Sequence, residues 1–157
     1  MRERGGTPLD LSVATEAPAP PEASRDAPEA DRTAARGPGY LQWRASNTFT
    51  QDQPGYTCVI ARLTLGAVTT EQFRALAKLC VEYGDGAVRT TIDQNLALRF
   101  VPHHRLPALY VALDRLGLAR PGARTVGDVT TCPGAESCNL AVTASRQVGA
   151  SIIDRIE

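Results

Sequence analysis

The chain has 157 residues, which is enough for one domain with a buried core but not for two large ones. Its hydrophobic share of 43% and charged share of 22% are ordinary for a globular protein in water. The formal net charge is zero, so no global field attracts nucleic acid or a membrane, and neither is expected as a partner. No apolar run reaches the roughly 20 residues of a membrane span, and no secretory signal is visible. We therefore expect a cytoplasmic protein with reduced cysteines, in which clustered cysteines indicate metal ligation or catalysis.

The N-terminal segment differs in composition from the rest of the chain. Its first 38 residues contain six of the eleven prolines and few large apolar side chains. Such a segment cannot bury enough surface to offset the entropy of ordering it. Residues 1–38 are predicted to be a disordered tail or linker, followed by a folded unit over 39–124 and a separate C-terminal portion over 125–157.

The folded unit is predicted to begin with a strand and a helix. The strand covers residues 56–65, and one of its faces carries Val59, Ala61, Leu63 and Leu65. Thr69 and Gln72 have the spacing of a capping box, which marks a helix start. The helix is predicted to bury a stripe formed by Phe73, Leu76, Ala77 and Cys80. Gly84 is expected to end it in a left-handed conformation.

Two further strands, a second helix and a final strand are predicted next. The segments AVRTT (87–91) and NLALRF (95–100) indicate two short strands, the second with one face formed by Leu96, Leu98 and Phe100. A helix from about Arg105 to Gly117 has an apolar stripe of Leu106, Leu109, Tyr110, Leu113 and Leu116. Residues 124–131 are interpreted as a last strand, and a third helix is predicted after Cys138, with Val148, Ile152 and Ile156 on one side.

The order of these elements is strand, helix, strand, strand, helix, strand. This order predicts an α+β fold of the ferredoxin-like, split βαβ type: an antiparallel sheet with two helices on one face. A C-terminal helix follows the cysteine pair.

Two of the four cysteines are candidates for chemistry. Cys58 and Cys80 lie in predicted regular elements, where free cysteine behaves as a small buried hydrophobe. Cys132 and Cys138 flank a turn at Pro133 and Gly134, and the amides of residues 135–138 are predicted to open a helix that favours the thiolate. The C-x5-C spacing alone leaves a metal role and two incidental cysteines equally open, because a pair supplies only two of the usual four ligands.

Three segments together resemble the sirohaem-dependent nitrite/sulfite reductase family. They are GDGAVRTTIDQNLALRFVP, then LPALYVALDRLGL, then DVTTCPGAESCNLAVTASR, and the resemblance covers residues 40–157. It implies a reductase half-domain of ferredoxin-like fold over 39–124. It also implies that residues 125–157 begin the domain that holds a [4Fe–4S] cluster and sirohaem. The C-x3-C pair of that family has no counterpart here, and we expect a truncated copy or fragment.

The resemblance implies roles for individual residues. Cys132 and Cys138 match the first pair of cluster ligands. Gln94 and Asn95 match positions that would hydrogen-bond sirohaem carboxylates, or else they only hold the hairpin turn. Arg89 would pair with a sirohaem carboxylate, or else it lies on a solvated strand. Asp93 stands where the first half-domain of the family has an anion-binding arginine, so the chain matches the second half-domain.

The function implied by the resemblance is oxidoreduction, namely the six-electron reduction of nitrite or sulfite. The chain would contribute two cluster ligands and one wall of the sirohaem cavity. Its expected partners are a complementing half-domain or chain and an electron donor such as ferredoxin or a flavoprotein. Two alternatives stay open: a ferredoxin-like interaction module without redox chemistry, and a dithiol or zinc site in another redox protein.

Overall fold

The first described element is a helix that the sequence analysis does not predict. The computed structural model describes residues 37–156, so the predicted tail over 1–38 lies almost entirely outside the described residues. Helix α1 is Pro38–Asn47. Proline suits the first turn of a helix, because the N–H it lacks would have no intrahelical partner there. Three buried residues recur along the inner face of this helix: Tyr40, Trp43 and Asn47.

A four-stranded antiparallel sheet lies at the centre of the fold. The strand order is β1-β2-β4-β3, with β1 Thr48–Thr50, β2 Tyr56–Ala61, β3 Val88–Thr90 and β4 Leu96–Pro102. The remaining helices are α2 Thr70–Tyr83, α3 Leu106–Arg115 and α4 Ser145–Ile156. The main core cluster joins strand residues to residues of α1, α2 and α3. The predicted α+β ferredoxin-like class is confirmed.

The fourth strand comes from a different part of the chain than predicted. Residues 124–131 form turns and irregular backbone, so the prediction of a strand there is wrong. The edge of the sheet next to β2 is occupied instead by β1, where Thr48 pairs with Val59. Arg124 has a left-handed φ of 61°, which interrupts an extended conformation.

Helix α2 begins as predicted but ends differently. Gln72 donates its backbone N–H to the Thr69 hydroxyl at 3.1 Å, and the Gln72 side chain accepts the Thr69 backbone N–H at 3.0 Å. The capping box is therefore confirmed. Gly84 caps the other end with φ −129°, so the prediction of a left-handed cap is wrong. A glycine fits because a Cβ at this position would lie 2.7 Å from the carbonyl oxygen of Arg99.

The buried face of α2 is rotated relative to the predicted stripe. Leu76 and Cys80 are buried, as predicted, but Phe73 is 48% exposed and Ala77 faces solvent. Leu79 and Tyr83 pack against the core instead. The spacing of Phe73 and Ala77 therefore predicted a buried face that is rotated by part of a helical turn from the observed one.

An irregularity in the pairing of β2 with β4 changes which residues of β4 face the helices. Thr57 pairs with Val101, whereas Val59 pairs with Leu98, so β4 has one extra residue here. Phe100 has φ 55°, and Val101 joins the main core cluster in its place. A bulge shifts the two-residue alternation by one, which the sequence pattern does not reveal.

The second and third predicted helices are both present. In α3 the predicted stripe is buried or packed against the core: Leu106, Leu109, Leu113, Tyr110 and Leu116. Helix α4 begins at Ser145 rather than directly after Cys138. Val148, Ile152 and Ile156 do share one side of it, and that side is exposed, while Gly149 and Ile153 are buried. None of the helices within residues 37–156 has the length and apolarity that a bilayer crossing requires.

Candidate functional site

The two candidate ligands lie on an irregular segment, residues 128–145, which we call the cysteine loop. Cys132 and Cys138 are both free and exposed. Between them lies one turn of 3-10 helix, Gly134–Glu136, and the backbone N–H of Cys138 donates to the carbonyl of Gly134 at 3.0 Å. The predicted α-helix opening at residues 135–138 is therefore wrong, because the chain makes only this short turn before α4.

The cysteine loop closes on itself around Gly134. The backbone N–H of Ala135 donates to the carbonyl of Thr143 at 2.9 Å. Gly134 has φ 65°, and a Cβ there would lie 2.6 Å from the backbone nitrogen of Ser145. A side chain at this position would therefore open the closed loop, so glycine is required between the cysteines.

The surroundings of Cys132 make its thiol easier to ionise than an ordinary cysteine. Its Sγ atom lies 3.3 Å from the hydroxyl oxygen of Ser145. Hydrogen bonding by the Ser145 side chain, and then by the backbone of Gly134, lowers the pKa of Cys132 below the usual range of a thiol. Ser145, rather than the predicted helix N-terminus, is thus the main cause. A metal ion binds the thiolate, so this environment suits a ligand.

The surroundings of the other two cysteines, Cys58 and Cys80, favour the neutral thiol. Burial raises the pKa of Cys80 to about 12, and burial also raises the pKa of Cys58. Cys80 is a member of the main core cluster, and Cys58 packs against the smaller cluster on the other face of the sheet. Both therefore behave as packing residues.

The tip of the hairpin between β3 and β4 holds the start of the cysteine loop. Gln94 donates from Nε2 to the carbonyl of Thr131 at 2.7 Å and accepts the backbone N–H of Thr131 at 3.2 Å. Asn95 is 1% exposed, donates to Asp128 at 2.7 Å and accepts the backbone N–H of Leu63 at 2.8 Å. Sirohaem binding by Gln94 and Asn95 stays a prediction. The observed contacts of Asn95 favour the alternative, in which it holds the turn.

A buried ion pair, which the sequence analysis did not predict, also holds the start of the cysteine loop. Arg62 Nε lies 3.5 Å from Asp128 Oδ1, and the two side chains are 5% and 3% exposed. Arg62 also donates to the carbonyls of Pro121 and Gly127. These partners are far apart in the chain, so no local motif signals them. An arginine within the apolar strand pattern of residues 56–65 was the one available sign.

Arg89 lies away from the cysteine loop. Its guanidinium is 3.0 Å from Asp85 Oδ2, which Arg99 also approaches to 3.2 Å. Two cations therefore share one carboxylate, and Arg89 remains 29% exposed. The predicted pairing of Arg89 with a sirohaem carboxylate stays a prediction.

A groove of about 410 Å³ separates the hairpin tip from the start of α2 and reaches the cysteine loop. Its lining is mainly apolar but also includes polar residues: the apolar ones are Leu63, Leu65, Val68, Phe73 and Leu96, and the polar ones include Gln94, Thr131 and Arg146.

The candidate donor atoms for a metal centre are two thiols on one loop. Within residues 37–156 there is no group of three or more His, Cys, Asp or Glu side chains that could hold a metal ion. An iron–sulfur cluster of the [4Fe–4S] type takes four thiolates. Of these, the cysteine loop offers two exposed thiols, those of Cys132 and Cys138.

Comparison with known proteins identifies the class of this fold. The family model described as the nitrite/sulfite reductase ferredoxin-like half domain matches residues 49–116, which include helices α2 and α3 and all of the sheet except Thr48. The predicted boundaries at 39–124 and 125–157 stay predictions.

Three relatives carry the same name in different organisms. Ferredoxin–nitrite reductase of Synechococcus elongatus is 32% identical over 129 residues, covering 79% of this chain and 25% of the relative. The chloroplastic ferredoxin–nitrite reductase of Zea mays is 27% identical over 109 residues, covering 68% of this chain and 19% of the relative. That of Oryza sativa subsp. japonica is 24% identical over 107 residues, covering 68% and 18%. The chain belongs to the nitrite/sulfite reductase family and spans about a quarter or less of the length of these relatives.

Proposed function

We propose that the chain is one part of a nitrite/sulfite reductase and supplies Cys132 and Cys138 as two of the four ligands of a [4Fe–4S] cluster. The observation that carries the proposal is the position of the two exposed thiols on a closed loop that is anchored to the ferredoxin-like sheet. The lowered pKa of Cys132 supports it, because a thiolate is the form that iron binds. The remaining two ligands come from a complementing half-domain or chain.

The groove beside the cysteine loop is proposed as one wall of the sirohaem cavity. Its lining is mainly apolar, and the amide of Gln94 in that lining is the proposed donor to an acidic substituent. Arg89 is proposed to pair with a sirohaem carboxylate after exchanging its contact with Asp85, and Asn95 holds the turn from which Gln94 projects. When bound, the cluster and sirohaem supply the electron transfer and the anion-binding iron.

The proposed substrate is nitrite, with sulfite as the other member of the class. The relatives are ferredoxin–nitrite reductases by name, which favours nitrite as substrate and ferredoxin over a flavoprotein as electron donor. Asp93 lies at the hairpin tip and pairs with Arg124 at 3.7 Å. A carboxylate repels an anionic substrate, so the cations that bind nitrite belong to the complementing half-domain. We place the reaction in the cytoplasm, where thiols stay reduced.

Co-expression with the missing half tests this function. The chain would be produced anaerobically with a polypeptide that supplies the first half-domain and a C-x3-C pair. Ammonia formed from nitrite would then be measured with chemically reduced ferredoxin as donor. We expect activity from the pair, none from either polypeptide alone, and none from the pair that carries Cys138→Ser. Activity that survives Cys138→Ser would contradict the proposal.

The alternative of a non-catalytic interaction module has one specific observation in its favour. The outer side of α4 exposes Val148, Ile152 and Ile156 to 56%, 41% and 43%. A row of exposed apolar side chains on a helix is typical of a surface that a partner covers. The co-expression experiment separates the two functions, because a pure interaction module would form the complex without binding iron.

A further inference from the structure

The side chain of Gln94 starts from an unusual backbone position. Residues 91–95 form the turn between β3 and β4, in which the backbone N–H of Gln94 donates to the carbonyl of Thr91 at 3.2 Å. Gln94 has φ 59°, in the left-handed region that non-glycine residues rarely occupy. This conformation aims its amide away from the sheet and towards the cysteine loop, where it makes both hydrogen bonds to Thr131.

A second turn confines the same side chain. A Cβ at Gly66 would lie 3.1 Å from the Cβ and 3.4 Å from the Oε1 atom of Gln94, and Gly66 itself has φ 70°. The absence of a side chain at this position leaves room for the Gln94 amide. Gln94 therefore passes between the Gly66 turn and the backbone of Thr131.

Thr131 is held on its other side by α4. A Cβ at Gly149 would lie 2.5 Å from the Cγ2 atom of Thr131, so the helix backbone approaches this residue closely. Cys132 follows directly in the chain, and its Sγ atom contacts Ser145 at the first turn of the same helix. The peptide that leads into Cys132 is thus fixed between the hairpin tip and α4.

We propose that Gln94 is a positioning residue for Cys132: its two hydrogen bonds to Thr131 fix the direction in which the thiolate is presented to a metal. This inference rests on the proposed function, because the ligand role of Cys132 is proposed there. It assigns Gln94 a task that it performs through the backbone of Thr131 and that is separate from the sirohaem contact proposed above. The half-domain thereby controls the geometry of the cluster site that follows it in the chain.

The test uses the whole chain and the variant Gln94→Asn. Asparagine tolerates the left-handed backbone but is one methylene too short to reach Thr131. In hydrogen-exchange measurements we expect the Thr131 amide to exchange about tenfold faster in the variant, since a net hydrogen bond is lost. The amide of Leu63, which donates to Asn95, should exchange at the wild-type rate. Asp93→Ala is the matched control at the neighbouring position and should leave both rates unchanged.

A second readout concerns the thiols themselves. Cd²⁺ alone would be titrated under reducing, anaerobic conditions, with thiolate-to-metal absorbance as the signal. We expect binding that requires Cys132 and Cys138 and that weakens about tenfold in Gln94→Asn. Gln94→Glu still accepts the Thr131 N–H but cannot donate to its carbonyl. Its affinity for Cd²⁺ should lie between those of wild type and Gln94→Asn.

The outcomes separate this inference from the proposed function. Cd²⁺ binding that does not depend on Cys132 or Cys138 would contradict the ligand role, and with it both proposals. Cd²⁺ binding that requires Cys132 and Cys138 but is equally tight in Gln94→Asn would overturn only the positioning role of Gln94. Acceleration of the Leu63 amide to the same extent as Thr131 would also overturn it, because Gln94 would then support the sheet as a whole.

Discussion

At the scale of single residues, the anchoring of the cysteine loop depends on polar side chains buried far from one another in sequence. Asp128 accepts from the Asn95 side chain and from the backbone N–H of Arg124, at 2.7 and 2.8 Å, while it also faces Arg62. A carboxylate buried to this extent is tolerated because several donors surround it. The loop therefore starts from a point that the rest of the half-domain fixes.

The first prediction concerns this carboxylate. Asp128→Ala would remove one side of the buried ion pair with Arg62, which costs about 3–5 kcal/mol in the free energy of unfolding. Asp93→Ala is the control, because its pair with Arg124 is largely exposed and contributes under about 1 kcal/mol. Urea denaturation followed by circular dichroism measures both. Equal small losses in the two variants would mean that Asp128 is hydrated.

The second prediction concerns the pH dependence of Cys132. Because hydrogen bonding by Ser145 lowers its pKa, the reactive thiolate is present at lower pH than for an ordinary cysteine, and alkylation should begin at lower pH. Ser145→Ala should shift the alkylation profile to higher pH. Ser151→Ala, farther along α4, should leave it unchanged. Iodoacetamide labelling, resolved by peptide mass spectrometry, gives the rates.

The sign of the linked stability follows from the same lowered pKa. The folded state favours the thiolate of Cys132, so this contribution is present at pH above the pKa of the unfolded chain. It is lost as the pH falls through the lower pKa of the folded chain. If the alkylation rate of Cys132 depends on pH in Ser145→Ala as it does in wild type, hydrogen bonding by Ser145 is not the cause of the lowered pKa.

At the scale of elements, the sequence correctly predicted the helix ends and buried helix faces that residues close together in the chain determine. The capping box at Thr69 and Gln72 fixed the start of α2, and the stripe of α3 was predicted residue by residue. The edge strand β1 was missed because three residues are too few to show alternation. The strand predicted at 124–131 failed because the side chains of Arg62 and Asn95, rather than a strand ladder, bind this segment at Gly127 and Asp128.

The third prediction tests the phase of α2. Leu76 is fully buried, so Leu76→Ala should lower the free energy of unfolding by about 2–5 kcal/mol. Phe73 is 48% exposed, so Phe73→Ala should cost less than about 1 kcal/mol, although the sequence pattern places both in one stripe. Urea denaturation of the two variants measures both free energies of unfolding. A larger loss for Phe73→Ala would restore the phase predicted from the sequence.

At the scale of the whole molecule, sequence motifs located the candidate site, and the contacts that orient it were visible only in the structure. The C-x5-C spacing and the turn at Gly134 made Cys132 and Cys138 candidates, and the family resemblance implied their role as ligands. The bonds from Gln94 to Thr131 cross 37 positions of the chain, and no periodic pattern indicates a contact over that separation. The sequence also implied a centre with four thiolates, whereas the described residues offer two exposed ones.

The most direct test of the central claim is anaerobic cluster assembly with iron and sulfide, followed by visible absorbance and electron paramagnetic resonance. The chain alone should give little stable [4Fe–4S] signal, and addition of a polypeptide with the first half-domain and a C-x3-C pair should restore it. Cys132→Ser and Cys138→Ser should abolish the restored signal, because a neutral hydroxyl is a poor ligand for iron. Cys58→Ser and Cys80→Ser should retain it. Full assembly with Cys132→Ser would contradict the account.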